Sequence, residues 1–407
     1  MDAHHAIEQA ARDSYGRLVA YLTIRWRDLH AVEDALADAF LAALKTWHDN
    51  GVPNKPEAWL LTVARRRLID RARHDQAQDD AMQALIEMAK EAQELAFSDT
   101  AFPDERLKML FICAHPAINP HVRTPLMLQT VLGIDAARIA SAFLVKPATM
   151  GQRLTRAKAK IRDGHIRFEL PDAKEWPLRL DAVLEAIYAV YGSGWDDVAG
   201  LDPRRRDLAQ EAIYLGRLLL KLMPDEPEVN GLIALMLHCE ARRDARRNEK
   251  GGYVPLTKQD ISLWSETMIE EAERCLGHAA QAGCIGRFQL DAAIQSVHAE
   301  RARTGRTEWE EIALLYEGLV RLAPTTGVLV GRAAAVAEAR GADKGLALLK
   351  EIPAERIKSY QPFWALTAHL SKRMQQNEQA RSAYSRAIGL CTDPSIREFL
   401  KQQARQV

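Results

Sequence analysis

Apolar residues recur at helical spacing along almost the whole chain, while alternating runs rich in Val, Ile and Thr are nearly absent, so the pattern predicts an all-α protein. In VEDALADAFLAALKTW, Val32, Leu36, Phe40, Ala43 and Trp47 mark one core-facing stripe, and Glu33, Asp34 and Asp38 project from it as acidic groups. After the NGVPNKP turn, Trp59 begins a second helix with Leu60, Val63, Ala64 and Leu68 inward and Arg65, Arg66, Arg67, Arg71 and Arg73 outward. Further on, Asp135 is placed to cap a short helix whose Ile139, Ala140 and Phe143 share one flank. Pro147 ends that helix, because it lacks an amide donor and clashes with the preceding turn, yet it suits the first turn of a new one. The new helix buries Met150, Leu154, Ala157 and Ile161, spaced 4, 3 and 4 apart. Thr149, Gln152, Arg153, Arg156, Lys158 and Lys160 fall mostly outside that stripe.

Composition shifts divide the chain into blocks. Residues 1–75 end in the arginine-rich helix, a polar connector covers 76–102, and a second helical block fills 103–168. LPDAKEWP, with Pro171 and Pro177, reads as a short linker, and 178–407 is a succession of amphipathic Ala/Leu helices broken by Gly and Pro. Within that last block RRDARRNEKGGYVPL reads as an exposed loop. Ile312, Leu346 and Ala380 lie 34 residues apart, and Trp364, Ala368, Ala380, Tyr384 and Ala387 occupy the small and aromatic positions of a tetratricopeptide-like helix pair. Tyr316 and Tyr384 correspond, but Lys350 stands between them in the register, so stacked helical pairs are the expected architecture.

Charge sharpens this picture. With 55 basic and 55 acidic residues the formal net charge is zero, which excludes a protein that coats nucleic acid by bulk charge. Contact with a polyanion must come from local patches, around Arg65–Arg73 and around Lys146–Arg167. The second carries seven Lys or Arg against the single Asp163. A short helix, a proline-marked turn and a basic helix, in that order, point to DNA. An aromatic beside an arginine-rich helix, as at Trp59, suits single-stranded or melting DNA.

Other chemistries find little support. The five cysteines are scattered without C-x-x-C spacing, which suits reduced thiols packed as small hydrophobes, and Cys113 with His115 lacks the second half of a metal site. No apolar run approaches a membrane span, and the N-terminus has no signal-like pattern, so a cytoplasmic protein is expected. No nucleophile–base pairing, phosphate-cradling glycine loop or paired carboxylates stand out, so neither an enzyme nor a cofactor is expected.

On these motifs the chain resembles a bacterial RNA polymerase sigma factor of the extracytoplasmic-function type. VEDALADAFLAALKTW resembles region 2.2, EAWLLTVARRRLIDRAR regions 2.3 and 2.4, and DAARIASAFLVKPATMGQRLTRAKAKIR region 4.2. The resemblance covers about the first 165 residues. It implies core RNA polymerase, through its beta-prime and beta subunits, and promoter DNA as partners, with no covalent chemistry. Asp34, Asp38 and Phe40 would dock on polymerase. Trp59, Arg65, Arg66, Arg71 and Arg73 would lie near the melted minus-10 strand, and Thr149, Gln152, Arg153, Arg156 and Lys158 at the minus-35 element. Arg66 stands where many members carry Asn, and Gly151 where they carry Lys, which points to a different promoter preference. The Cys-x-His-Pro segment and the long helical tail resemble the subgroup with a tetratricopeptide-like C-terminal extension. Such a tail offers a concave surface for a peptide or protein helix and is expected to regulate the sigma part. The rival reading is a helix-turn-helix repressor or activator with a helical-repeat sensor, in which the acidic docking helix and the Trp/Arg helix would have no duty.

Overall fold

Helix-forming stretches separated by Gly, Pro and Asx caps make the described residues almost wholly helical. The computed structural model describes residues 3–74, 105–143, 145–164, 166, 169–172, 174–195 and 203–407, and no strand occurs among them. The expected connector, 76–102, lies outside the described residues. The chain divides into two compact units, Met1–Val190 and Tyr191–Val407.

The first unit opens with α1 (Ala3–Trp26), α2 (Leu29–Asn50) and α3 (Pro56–His74). Asp28 starts α2 by accepting from the amides of His30 and Ala31 at 3.0 and 3.1 Å, and Pro56 sits in the first turn of α3. Val32, Leu36, Ala43 and Trp47 of α2 are buried with Leu60, Ala64 and Leu68 of α3, while Phe40 and Val63 of the expected stripes are only half-buried and Ala39 takes a place in the core beside them. Each large apolar side chain so covered contributes about 1.5–3 kcal/mol.

Among the described residues four more helices follow: α4 (Arg106–Cys113), α5 (Pro120–Leu132), α6 (Ala136–Ala142) and α7 (Pro147–Asp163). Asn119 caps α5, and Gly133, at φ 70°, closes it in the left-handed conformation open to glycine. Asp135 caps α6 by accepting from Ala137 and Arg138 at 2.9 Å, and Pro147 opens α7. α1 lies so close to α5 that a Cβ added at Gly16 would stand 1.9 Å from the Val131 carbonyl oxygen.

The helix after the expected linker, α8 (Trp176–Trp195), is built into this unit through most of its length. Val183, Leu184, Ile187 and Val190 are buried, and the Trp176 ring meets Phe111 at 4.9 Å. The Arg179 guanidinium, itself buried, donates to the Phe111 carbonyl at 2.7 Å, and the Thr124 hydroxyl donates to the Ala186 carbonyl at 2.9 Å. The boundary between the compact units therefore falls inside α8, between Val190 and Tyr191, rather than at LPDAKEWP. Proline and charge break the composition at 170–177, but the apolar face of α8 is what decides where it packs.

In the second unit α9 (Pro203–Leu222) leads to α10 (Pro227–Glu240), whose run from Val229 to Cys239 is buried on every side. α9, α11 (Glu266–Gln281) and α12 (Arg287–Ala299) surround it. Glu228 ties α10 to α12 by accepting from the amides of Phe288 and Gln289 at 3.0 and 3.1 Å. The segment expected as an exposed loop is only partly so. Arg243 and Ala245 are buried, Arg243 pairs with Glu240 at 2.7 Å, and Tyr253 meets Phe399 edge-on. A single turn, α13 (Arg301–Thr304), clips the end of this segment, Arg301 donating to the carbonyls of Leu256 and Gln259. Then come α14 (Trp309–Leu322), α15 (Thr326–Arg340), α16 (Ala342–Lys350), the short α17 (Ala354–Ile357), α18 (Gln361–Arg373), α19 (Asn377–Leu390) and α20 (Pro394–Ala404), in which successive long helices pack on their neighbours. Ile312, Leu346 and Ala380 are buried.

Candidate nucleic-acid interface

Two faces of the first unit carry the chemistry singled out by the sequence. On α2 and α3, Asp34, Asp38, Arg66 and Arg71 are exposed, and the acids and arginines face one another. Arg71 donates to Asp34 at 3.0 Å and Arg67 stands 3.9 Å from Asp38. Trp59 is half-buried, its indole edge-on to Trp47 at 5.5 Å. Phe40 leans on Tyr15 across 6.4 Å and is only partly accessible. Arg73 falls on α3, but its side chain lies outside the described residues. The same face of α2 exposes two leucines outside the core stripe, Leu41 at 57% and Leu44 at 37%. Leu41 lies one helical repeat after Asp34, so the signal was present in the spacing.

Arg65 corrects the outward assignment. It is 4% exposed and donates to the Tyr21 hydroxyl at 2.9 Å, because its position on α3 is turned toward α1. A guanidinium held there is unavailable to nucleic acid.

On α7 the four apolar positions are buried as expected, Gln152, Arg153, Arg156 and Lys160 are exposed, and Thr149 is partly covered. Among the described residues Arg153, Arg156 and Lys160 have no ion-pair partner. Lys158 is the second correction. It is 6% exposed and pairs with Glu33 of α2, which is itself mostly covered rather than projecting. The periodicity is not at fault, since Lys158 follows the buried Leu154 at one-turn spacing. It joins the stripe as soon as a carboxylate is available inside. Burial raises the Glu33 carboxyl above its usual range, against the lowering effect of Lys158.

A groove of about 830 Å³ runs along α7. Arg153, Arg156 and Lys160 line it together with the 116–122 segment, the turn before α7, and Ala189 of α8. His115 stands beside that segment, accepting from the Ala117 amide at 3.1 Å, its basicity lowered by burial and by Arg179. Cys113 is buried against Thr130, and burial pushes its thiol up to about 12. The two residues serve packing and turn geometry. Among the described residues no group of His, Cys, Asp and Glu is placed to hold a metal ion, and no helix is long and apolar enough to cross a membrane.

Comparison with known proteins gives the class. Residues 11–78, which cover most of α1 and all of α2 and α3, match the Sigma-70 region 2 family, the domain by which a sigma-70 factor binds core RNA polymerase in transcription initiation. Residues 179–280 match DUF6596, a family of unknown function. An uncharacterized protein of Rhizobium meliloti (strain 1021) is 38% identical over 403 residues, covering 98% of this chain and 94% of the relative, and the chain belongs to that protein's family. No solved structure matches.

Proposed function

We propose that the chain is a sigma factor of the extracytoplasmic-function type, which recruits core RNA polymerase to a narrow set of promoters and helps separate the strands. The observation that carries the reading is a sigma-70 region 2 domain whose unit also holds α7, a basic helix with Gln152, Arg153 and Arg156 in the open. Asp34, Asp38, Leu41 and Leu44 form the polymerase-facing stripe of α2. Trp59, Arg66 and Arg71 serve the minus-10 strand by stacking and charge, and Gln152, Arg153 and Arg156 contact the bases and phosphates of the minus-35 element. The helices of the second unit form a tetratricopeptide-like regulatory module.

This reading requires the first unit to open. Elements about 25 base pairs apart are separated by about 85 Å of duplex, whereas a compact unit of 190 residues has a radius of gyration of about 16 Å and cannot touch both. The seam at Gly16 and the Glu33–Lys158 pair join the region 2 helices to α5 and α7, so they are the contacts that polymerase docking on α2 has to release. Gly16→Val, which cannot be seated against Val131, is expected to enlarge the free chain in small-angle scattering; an unchanged radius with intact helicity would remove the opening step.

The function itself is tested by mixing the purified chain with core polymerase and selecting promoters from genomic fragments by transcription in vitro. A shared pair of upstream elements is expected. Failure to bind core polymerase, with or without residues 192–407, would end the proposal.

A further inference from the structure

The segment matched to the family of unknown function begins at Arg179, yet Arg179 is buried in the same compact unit as α7, on α8. What that first helix contributes to the unit is legible in the groove beside α7. None of the residues lining the groove is acidic, and three permanent cations face it without an ion-pair partner among the described residues. Arg153, Arg156 and Lys160 stand at i, i+3 and i+7 on one helix, a row about 10 Å long, enough for two or three phosphates of a strand that rises about 3.4 Å per nucleotide. The rest of the lining is apolar, Pro116, Ile118 and Val145 among it, apart from Asn119, His121 and Thr124, and it offers the cations no carboxylate counterion. A polyanion with regularly spaced charges fits this arrangement. Ala189 lines the groove three residues beyond Ala186, whose carbonyl is fixed by the Thr124 hydroxyl, so α8 is held in place by a buried hydrogen bond.

We propose that α8, the first helix of the family of unknown function, is a wall of the DNA-backbone site: the groove takes one sugar-phosphate strand of a duplex held by α7, and Ala189 lies alongside that strand. This rests on the reading of α7 as a DNA-contacting helix. It gives the start of that family segment a task in nucleic-acid binding and makes residue 189 a position that tunes it.

The groove cations are exposed in the free chain, so the test needs neither polymerase nor a known promoter. Backbone contacts are sequence-independent, and a fluorescein-labelled duplex of random sequence serves as the probe. The full chain is titrated by anisotropy over a range of salt, as the parent, Ala189→Lys, Ala189→Glu, Ala189→Gln and Arg153→Ala, each checked for parental helicity. Ala189→Lys is expected to tighten binding and to steepen the slope of log affinity against log salt by about 0.9, as one added phosphate contact does. Ala189→Glu is expected to weaken binding about tenfold at low salt, and Ala189→Gln to stay within about twofold of the parent. Parental affinity and slope in both charged variants, with Arg153→Ala weakened, would overturn the inference and leave the α7 reading standing. If Arg153→Ala also binds as the parent does, the α7 reading fails first. An acidic peptide, such as polyglutamate, that binds more tightly than the duplex at equal ionic strength and loses its affinity in Ala189→Glu would overturn it in favour of a protein partner.

Discussion

Helices α3 and α7 carry comparable numbers of basic residues, but most of those charges are in opposite states. On α3 three arginines have intramolecular partners, Arg65 the Tyr21 hydroxyl, Arg71 Asp34 and Arg67 Asp38 nearby, whereas Arg66 is exposed. On α7 the outward cations Arg153, Arg156 and Lys160 have none among the described residues, Arg162 at the helix end pairs with its neighbour Asp163, and the one lysine with a carboxylate, Lys158, is turned inward. The difference separates two uses of positive charge. A cation with a resident carboxylate must exchange one partner for another when a ligand arrives, so its net contribution is small. A cation facing solvent gives the counterion-release term undiminished.

The largest effect is expected where a partnered charge is also buried. Lys158→Met leaves the Glu33 carboxyl covered and without its cation, which costs about 3–5 kcal/mol at neutral pH in urea unfolding followed by tryptophan fluorescence. The double variant Glu33→Leu with Lys158→Met is expected to recover most of that loss, because a buried pair replaced by apolar groups is often neutral. The pH dependence has a definite sign. The Glu33 pKa is raised in the folded state, so the fold binds its proton more tightly than the unfolded chain does. That contribution is complete below the unfolded value of about 4.3 and is lost as pH rises through the folded value, so the deficit of Lys158→Met should shrink on acidification. A deficit that does not change with pH would mean that Glu33 finds another counterion.

The next effect belongs to the unpartnered cations. Arg153→Ala is expected to weaken promoter binding by the holoenzyme by about 1–3 kcal/mol if it reads a base, and to lower the salt slope by about one if it meets a phosphate. Stability in urea should stay within about 0.5 kcal/mol of the parent, since the side chain is exposed and makes no ion pair among the described residues. A large stability loss would break the distinction between the two helices.

How much of this could be read in advance follows from the same distinction. The apolar stripes of α2, α3 and α7, the Asp135 cap and the Pro147 start are local properties of the chain, and the helices formed where spacing placed them. The fates of Arg65 and Lys158 depended on Tyr21 and Glu33, residues 44 and 125 positions away in sequence, and no periodicity reports such distances. The attachment of α8 to α4 and α5 was hidden for a related reason. LPDAKEWP has the composition of a linker, whereas the packing is decided by Trp176, Arg179 and Ala186 meeting Phe111 and Thr124. Leu41 and Leu44 are legible too, as apolar positions on the face of α2 opposite its core stripe.

The smallest effect, and the one that most sharpens the comparison, concerns Asp34 and Arg71. Both side chains are more than half exposed, so their 3.0 Å contact is an ordinary surface pair, worth about 0–1 kcal/mol and screened by salt. A double-mutant cycle on stability with Asp34→Ala and Arg71→Ala should give a coupling in that range, fading at high ionic strength. On polymerase and promoter the same two variants should part company. Asp34→Ala should weaken core binding, and Arg71→Ala should slow strand opening with core binding intact, since the pair exists only until each partner meets its own ligand. If both variants impair core binding equally, the pair is part of the docked state, and the arginines of α3 belong with Lys158 as structural charges rather than with those of α7.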